Sequence, residues 1–180
     1  MAMSGYMANL RSKIGQDLLL VPAAGVAVFD GEGRLLLGRH VDDGLWATIG
    51  GSMEPGETPT DAALRELLEE TGLTARILGI VGVYGGPSFE VTYPGGARVA
   101  YVVTLYACQL LGGEPTPQRD ELREIGWFGP DQAVLLPQPQ DMSQMIPDAF
   151  SWWRRRTPGR CGRGSRWSSR GPVRLGMLGR

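Results

Sequence analysis

The sequence has one histidine, His40, and two cysteines, Cys108 and Cys161. His40 has no His, Cys or carboxylate partner at metal-ligand spacing, so neither a histidine metal site nor a Ser/His/Asp arrangement is built around it; it reads as a surface residue beside Asp42 and Asp43. Two cysteines allow one bridge at most. Because Cys108 sits inside the apolar run Val99 to Leu111, a buried thiol is expected, with no disulfide and no cysteine-based metal site. Long apolar runs are missing too. No window approaches the ~18 to 20 apolar residues of a membrane span, and no basic N-terminal region leads into an apolar stretch. No membrane association and a cytoplasmic location are the expectations. There is no internal repeat, and 180 residues with 42% apolar content fit one domain with one sizeable core.

Acidic residues are absent from 154–180, which holds nine of the 18 basic residues, while all 19 acidic residues lie earlier. The body therefore carries a net charge of −10 and the tail +9. From Thr157 onward the composition is Gly, Arg, Ser and Pro with scattered apolar residues, so this segment has little with which to build a core and reads as disordered. A solvated tail is the favoured reading; an electrostatic anchor for RNA or another polyanion is the functional alternative.

Apolar, β-prone stretches at Val21 to Phe29 and Arg34 to Gly38 flank the turn formers Asp30-Gly31-Glu32-Gly33 and predict a hairpin. Thr58 is placed to cap a helix, with Pro59 at its first position, Asp61 three residues after the cap and Gly72 as the stop. Further strands are expected at Ala75 to Tyr84, Val99 to Leu110 and Ile125 to Phe128, with Pro94-Gly95-Gly96 turning into the second of these. Short helices follow at Asp131 to Leu135 and Met142 to Trp153, the latter docked by Trp152 and Trp153. Strands on both sides of one acidic helix, with another helix at the end, predict an α/β sandwich: a mixed sheet covered by helices on both faces.

On that acidic helix Glu66, Glu69 and Glu70 stand at i, i+3 and i+4, so they project from neighbouring turns of one face. Carboxylates so close repel one another, and a hard divalent cation bridging them to phosphate oxygens would relieve that repulsion. Spacing alone also allows a solvated acidic face, with Arg65 pairing to Asp61 or Glu69. Gly50, Gly51 and Gly56 around the preceding loop favour the metal platform, since glycine lets backbone approach a ligand closely.

The segment resembles the Nudix box, G-x5-E-x7-R-E-U-x-E-E-x-G-U with U aliphatic. Gly51, Glu57, Arg65, Glu66, Leu67, Glu69, Glu70, Gly72 and Leu73 fill every fixed position. Beyond the box, Tyr6 to Pro22, the hairpin strands, Trp46 and Trp127-Phe128 are similar to a bacterial MutT-like subgroup, with Ile49 a departure where many relatives have proline. The resemblance implies a Nudix-type α/β/α sandwich over 1–153, followed by the Arg-rich tail 154–180.

It also implies roles. The Gly50 carbonyl, Glu66 and Glu70 would bind metal, with Glu69 binding a second ion or a water on the metal; Arg65 and Glu57 would orient these carboxylates, and Gly51 and Gly72 would be structural. A later acidic residue usually completes such sites, and among Asp120, Glu121 and Glu124 the choice falls on Glu121. Glu66 and Glu121 are joint candidates for the general base, with Glu69 a third. Arg39 is a weak candidate for a phosphate contact, and Trp46 is expected to pack beside the glycines. The implied activity is Mg²⁺-dependent hydrolysis, with Mn²⁺ as an alternative ion, of a nucleoside diphosphate linked to X, such as ADP-ribose, a nucleotide sugar or a (d)NTP, to a nucleoside monophosphate and P-X. The alternatives are a catalytically silent nucleotide sensor and an RNA-end hydrolase recruited by the tail. A small nucleotide is the expected partner, a homodimer is open, and nucleic acid enters only through the tail.

Overall fold

The structure, a computed structural model, describes residues 5–156. Helix α1 (Gly5–Ile14) leads into strands β1 (Leu19–Phe29), β2 (Leu35–His40), β3 (Trp46–Ala47) and β4 (Ile49–Ser52). Helix α2 (Pro59–Thr71) follows, then β5 (Leu73–Tyr84), β6 (Glu90–Thr92), β7 (Arg98–Gly113) and β8 (Leu122–Phe128). Helices α3 (Pro130–Ala133) and α4 (Met142–Arg156) close the described chain.

All eight strands join one sheet, along the path β3-β2-β1-β7-β5 with β4 on β1, β6 on β7 and β8 on β2. The long β1 and β7 run parallel from Leu19 beside Val99 to Phe29 beside Gln109, and every other pairing is antiparallel, so the sheet is mixed. A central parallel pair must be covered on both faces, and the near-continuous apolar run of β1 answers to that. Its side chains alternate between two cores. Ala24, Val26 and Val28 face Ala62, Ala63 and Leu67 of α2, whereas Ala27 and Phe29 face Met145, Ile146, Ala149 and Phe150 of α4. The α/β sandwich expected from the sequence is the architecture found.

The β1–β2 hairpin turns as the sequence suggests: Asp30 Oδ1 accepts the amides of Glu32 and Arg34, both at 2.9 Å, and Gly33 takes φ 77°. Cys108 is a fully buried thiol. Helix α4 extends past the expected Trp153 to Arg156, which moves 154–156 from the tail into the helix. Trp153 stacks on Phe29 with centroids 4.4 Å apart, the Arg156 guanidinium lies 4.9 Å from the Trp152 ring centre, and three arginines in the last turn complement the helix dipole. The expected disordered segment, 157–180, lies outside the described residues.

The main correction concerns two of the three glycines before α2: Gly50 and Gly51 belong to strand β4, while Gly56 lies in the loop as expected. Gly50 pairs with Gly25, and a Cβ on Gly50 would sit 2.5 Å from the Gly25 Cα and 2.6 Å from the Ala24 carbonyl oxygen. The bareness of Gly50 therefore serves strand-to-strand approach. Helix α2 begins as expected: Thr58 Oγ1 accepts from the Asp61 amide at 3.2 Å, the Asp61 carboxylate accepts from the Thr58 amide at 3.2 Å, and Gly72 ends the helix with φ 68°. Thr58→Ala removes the reciprocal cap and is expected to cost about 1 kcal/mol, read as a lower urea midpoint with an unchanged slope.

Candidate active site

Helix α2 crosses β1 and β4, and the capped start fixes which residues of its later turns meet the sheet. The three glutamates share a face, but their surroundings differ sharply. Glu69 is about half exposed at 54%, Glu66 retains 13% exposure, and Glu70 retains 2%. Gly51 makes the placement of Glu66 feasible, because a Cβ there would overlap the Glu66 carboxylate.

Arg65 ties the cluster together. Its Nε and Nη2 donate to the two oxygens of Glu57 at 2.6 and 3.1 Å, Nη1 donates to Glu66 Oε1 at 2.8 Å and to Glu69 Oε2 at 3.0 Å, and Nη2 reaches the Ser52 carbonyl at 3.3 Å. One planar guanidinium thus anchors the loop, the strand and two helix carboxylates, a task its fixed fork of donors suits and lysine's single ammonium does not. Hydrogen bonding to Arg65 holds the Glu57 carboxyl below the usual range, and the same contacts push the Arg65 guanidinium pKa up. The solvated-face alternative is only partly met: the pairing with Glu69 forms, but Arg65 is committed mainly to Glu57.

Glu70 has no such partner. Neither of its oxygens accepts a hydrogen bond, and burial first, then the charges of Glu66 and Glu121, push its pKa up to about 8, with the nearby Gly50 backbone opposing the shift. Burial also raises Glu66, against the lowering effect of Arg65. Glu121 comes within electrostatic range of both because the loop before β8 is laced onto the end of α2. The Thr116 amide donates to the Thr71 carbonyl at 2.8 Å, the Gln118 amide to the Glu70 carbonyl at 2.8 Å, and the Glu121 amide to the Gln118 carbonyl at 3.0 Å.

Glu66, Glu69 and Glu121 open onto one cleft of about 660 Å³, a volume suited to a nucleotide-sized ligand. Glu124, the competing choice, is instead drawn to Arg39 at 3.2 Å. Arg39 itself is spent on Glu124 and the Gly44 carbonyl across the β2–β3 connection and does not line the cleft, so the structure does not bring it to the site. Trp46 packs edge-on against Phe128, 4.8 Å between centroids, inside the core. Met7 and Arg11 of α1 also line the cleft, with Tyr93, Val99 and Tyr101, none of which the sequence marks as a site residue. Tyrosines at a turn and on the following strand were visible as residues, but nothing in the spacing tied them to α2.

The NUDIX domain family model matches residues 19–149. The chain belongs to the Nudix family. It is 36% identical over 124 residues to an oxidized purine nucleoside triphosphate hydrolase of Danio rerio, covering 67% of this chain and 70% of that one. It is 31% identical over 139 residues to an ADP-ribose pyrophosphatase of Methanocaldococcus jannaschii, covering 75% and 77%. Among solved structures, an ADP-ribose pyrophosphatase of Streptococcus suis superposes with a TM-score of 0.57 at 26% identity, covering 74% of this chain and 92% of that one. The protein is therefore a Nudix hydrolase of general pyrophosphatase type, and Nudix hydrolases work with divalent metal ions.

The Nudix box fits such an ion on one structural observation: a carboxylate is buried beside two others with both oxygens unsatisfied, which is costly unless a cation or a proton joins it. Among the described residues no three acidic, His or Cys side chains are already drawn into a closed cage, as expected while Arg65 holds Glu66 and Glu69. No helix among the described residues is long and apolar enough to cross a membrane.

The raised pKa of Glu70 gives a pH dependence of defined sign. The folded protein binds this proton more tightly than the unfolded chain, so the stability it contributes is full below pH 4.5 and is lost as pH rises through about 8. Metal-free protein is expected to melt at falling temperature over that window, and Glu70→Gln is expected to flatten the decline. Parallel curves for the two proteins would place the carboxyl in a more polar setting than the structure shows.

Proposed function

We propose that this enzyme hydrolyses the phosphoanhydride of a nucleoside diphosphate linked to X, releasing a nucleoside monophosphate and P-X, with Mg²⁺ as its ion and Mn²⁺ able to replace it. The observation that carries this reading is the buried, unpartnered carboxylate of Glu70, within electrostatic range of Glu66 and Glu121, which themselves line a nucleotide-sized cleft. Glu66, Glu69, Glu70, Glu121 and the Gly50 carbonyl are the oxygen donors that would hold the ion, a set matched to a hard cation. Bound there, a divalent ion supplies positive charge against the phosphate oxygens and lowers the pKa of water.

The chain's own residues supply the rest. Glu121 and Glu66 both face the cleft, so either carboxylate oxygen can accept the proton of the attacking water, with Glu69 a third acceptor at the rim. Arg65 is a positioning residue: bonded to Glu57, Glu66 and Glu69 at once, it keeps two carboxylates aimed while Glu57 holds it against the loop. Gly51 leaves room for Glu66, and Gly72 lets the chain turn from α2 directly into β5. The likeness to relatives that act on ADP-ribose and on oxidized purine nucleoside triphosphates supports a small nucleotide as substrate.

The test is a set of ADP-ribose, nucleotide sugars and (d)NTPs incubated with Mg²⁺ in water labelled with heavy oxygen, with products weighed by mass spectrometry. A nucleoside monophosphate and P-X should appear, with label in only the product whose phosphorus was attacked; label on a sugar carbon would rule the reading out. Glu70→Gln should lower turnover by more than the roughly 10- to 100-fold that losing an outer partner of a metal site costs, without unfolding the protein. Near wild-type rates in that variant would remove Glu70 from the site.

A further inference from the structure

The sheet is longer than the helix laid across it. Strand β7 has 16 residues and spans roughly 50 Å, whereas the 13 residues of α2 span about 20 Å and lie over β1 and β4. Ala24, Val26 and Val28 of β1 and Tyr106 and Cys108 of β7 share the core with α2. Side chains alternate along a strand, and residues directly opposite one another share a face. Leu20 and Pro22 on β1 and Val102 on β7 therefore point to the same side as that core, and so do Ile80 and Val83 on β5, which stand opposite Tyr106 and Thr104. Beyond the reach of α2 these five are bare. Leu20, Ile80 and Val83 are each more than half exposed, and Val102 and its register partner Pro22 are exposed beside them.

Five aliphatic side chains open to this extent offer roughly 400 Å² of surface, a size that marks an interaction site and about half of the ~800 Å² that each partner buries in a stable interface. None of the five is charged. The body carries a net charge of −10, so two copies repel wherever acidic surfaces meet, and along this strip they approach without that cost. At its border Glu90 and Arg98 lie on the same face and are already paired with each other at 3.5 Å, so the rim is neutral as a unit. An apolar, neutral surface is complementary to itself, which a two-fold contact requires. Residues 157–180 suit it less: they carry six arginines, and the strip offers them no carboxylate beyond the paired Glu90. Among the described residues β5 pairs only with β7, and its register shifts three times along that pairing. Such breaks blunt edge-to-edge extension, so β5 offers its face rather than its edge.

We infer that this strip is the contact face of a homodimer, in which a second copy of the chain lays its own Leu20, Pro22, Ile80, Val83 and Val102 against these residues about a two-fold axis. The inference stands apart from the nucleotide reading, since none of the five lines the cleft. Association removes from water the apolar surface that α2 is too short to cover.

The experiment is analytical ultracentrifugation of the full chain from low to high micromolar concentration. Wild type should sediment at twice the monomer mass, and so should Leu135→Glu, a control whose side chain is exposed in the connection between α3 and α4. Val83→Glu on β5 and Leu20→Glu on β1 each place a carboxylate on the contact twice in a two-fold dimer and should weaken association by about 100-fold or more. Circular dichroism of both should stay that of the folded chain, because each side chain is exposed within one copy. Val83→Leu, which keeps the strip apolar, should remain dimeric. Wild type that stays monomeric at high micromolar concentration overturns the inference; if removing 157–180 then makes it dimerise, those residues are the occupant instead. A dimer that survives both glutamate variants, or that Leu135→Glu dissolves equally, places the contact elsewhere and overturns it too.

Discussion

Glu70 is a carboxylate the fold buries without giving it a hydrogen bond. An unpaired buried charge is among the least favourable groups a protein can contain, so the metal-free site must hold a proton there or admit a cation. The rest of the site can be understood as arrangements around that demand. Arg65 binds Glu57, Glu66 and Glu69 but leaves Glu70 alone, so the guanidinium organises the cluster without cancelling the charge beneath it. Glu121 arrives from a different part of the chain because two backbone bonds fasten residues 116 and 118 to the C-terminal end of α2.

Glycine placement follows from the same crowding. Gly25 and Gly50 let β1 and β4 lie against each other, which sets the strand under the helix, and Gly51 clears the volume that Glu66 occupies. A methyl group at Gly50 or Gly51 meets backbone or a carboxylate within the site, so these positions control where the acidic face sits. The sandwich adds rigidity from behind: β1 is packed on α2 through Ala24, Val26 and Val28 and on α4 through Ala27 and Phe29.

Much of this was legible in the sequence, for identifiable reasons. Helix α2 announces itself through a capping box, a proline at its first position and a glycine stop, all local signals, and three glutamates at helical spacing share a face wherever the helix packs. The β1–β2 hairpin was legible from its turn formers. Strand β4 was not, because glycines that serve close strand approach look in sequence like glycines of a loop. Spacing likewise could not say that Glu70 is buried while Glu69 is half exposed, since that depends on which side of the shared face meets β4. Arg39 seemed available as a cation at a strand end, yet Glu124 lies opposite it on β8, 85 positions away in the chain. Helix α1 reaches the β6–β7 connection through Arg11 and Gln16, contacts spanning 87 and 79 positions that no local pattern encodes.

Glu70 is expected to give up a proton as it accepts a cation, an exchange on which the site turns. It is tested most directly by titrating Mg²⁺ into the nucleotide-free protein in buffers of different ionisation enthalpy, which reports the protons released per ion bound. With its pKa near 8 in the metal-free state, Glu70 should release close to one proton per ion at pH 6 to 7, and that release should fade as pH passes about 8 and vanish in Glu70→Gln. Mg²⁺ binding with no proton release at pH 6 to 7, or with the same release in Glu70→Gln, would contradict the account.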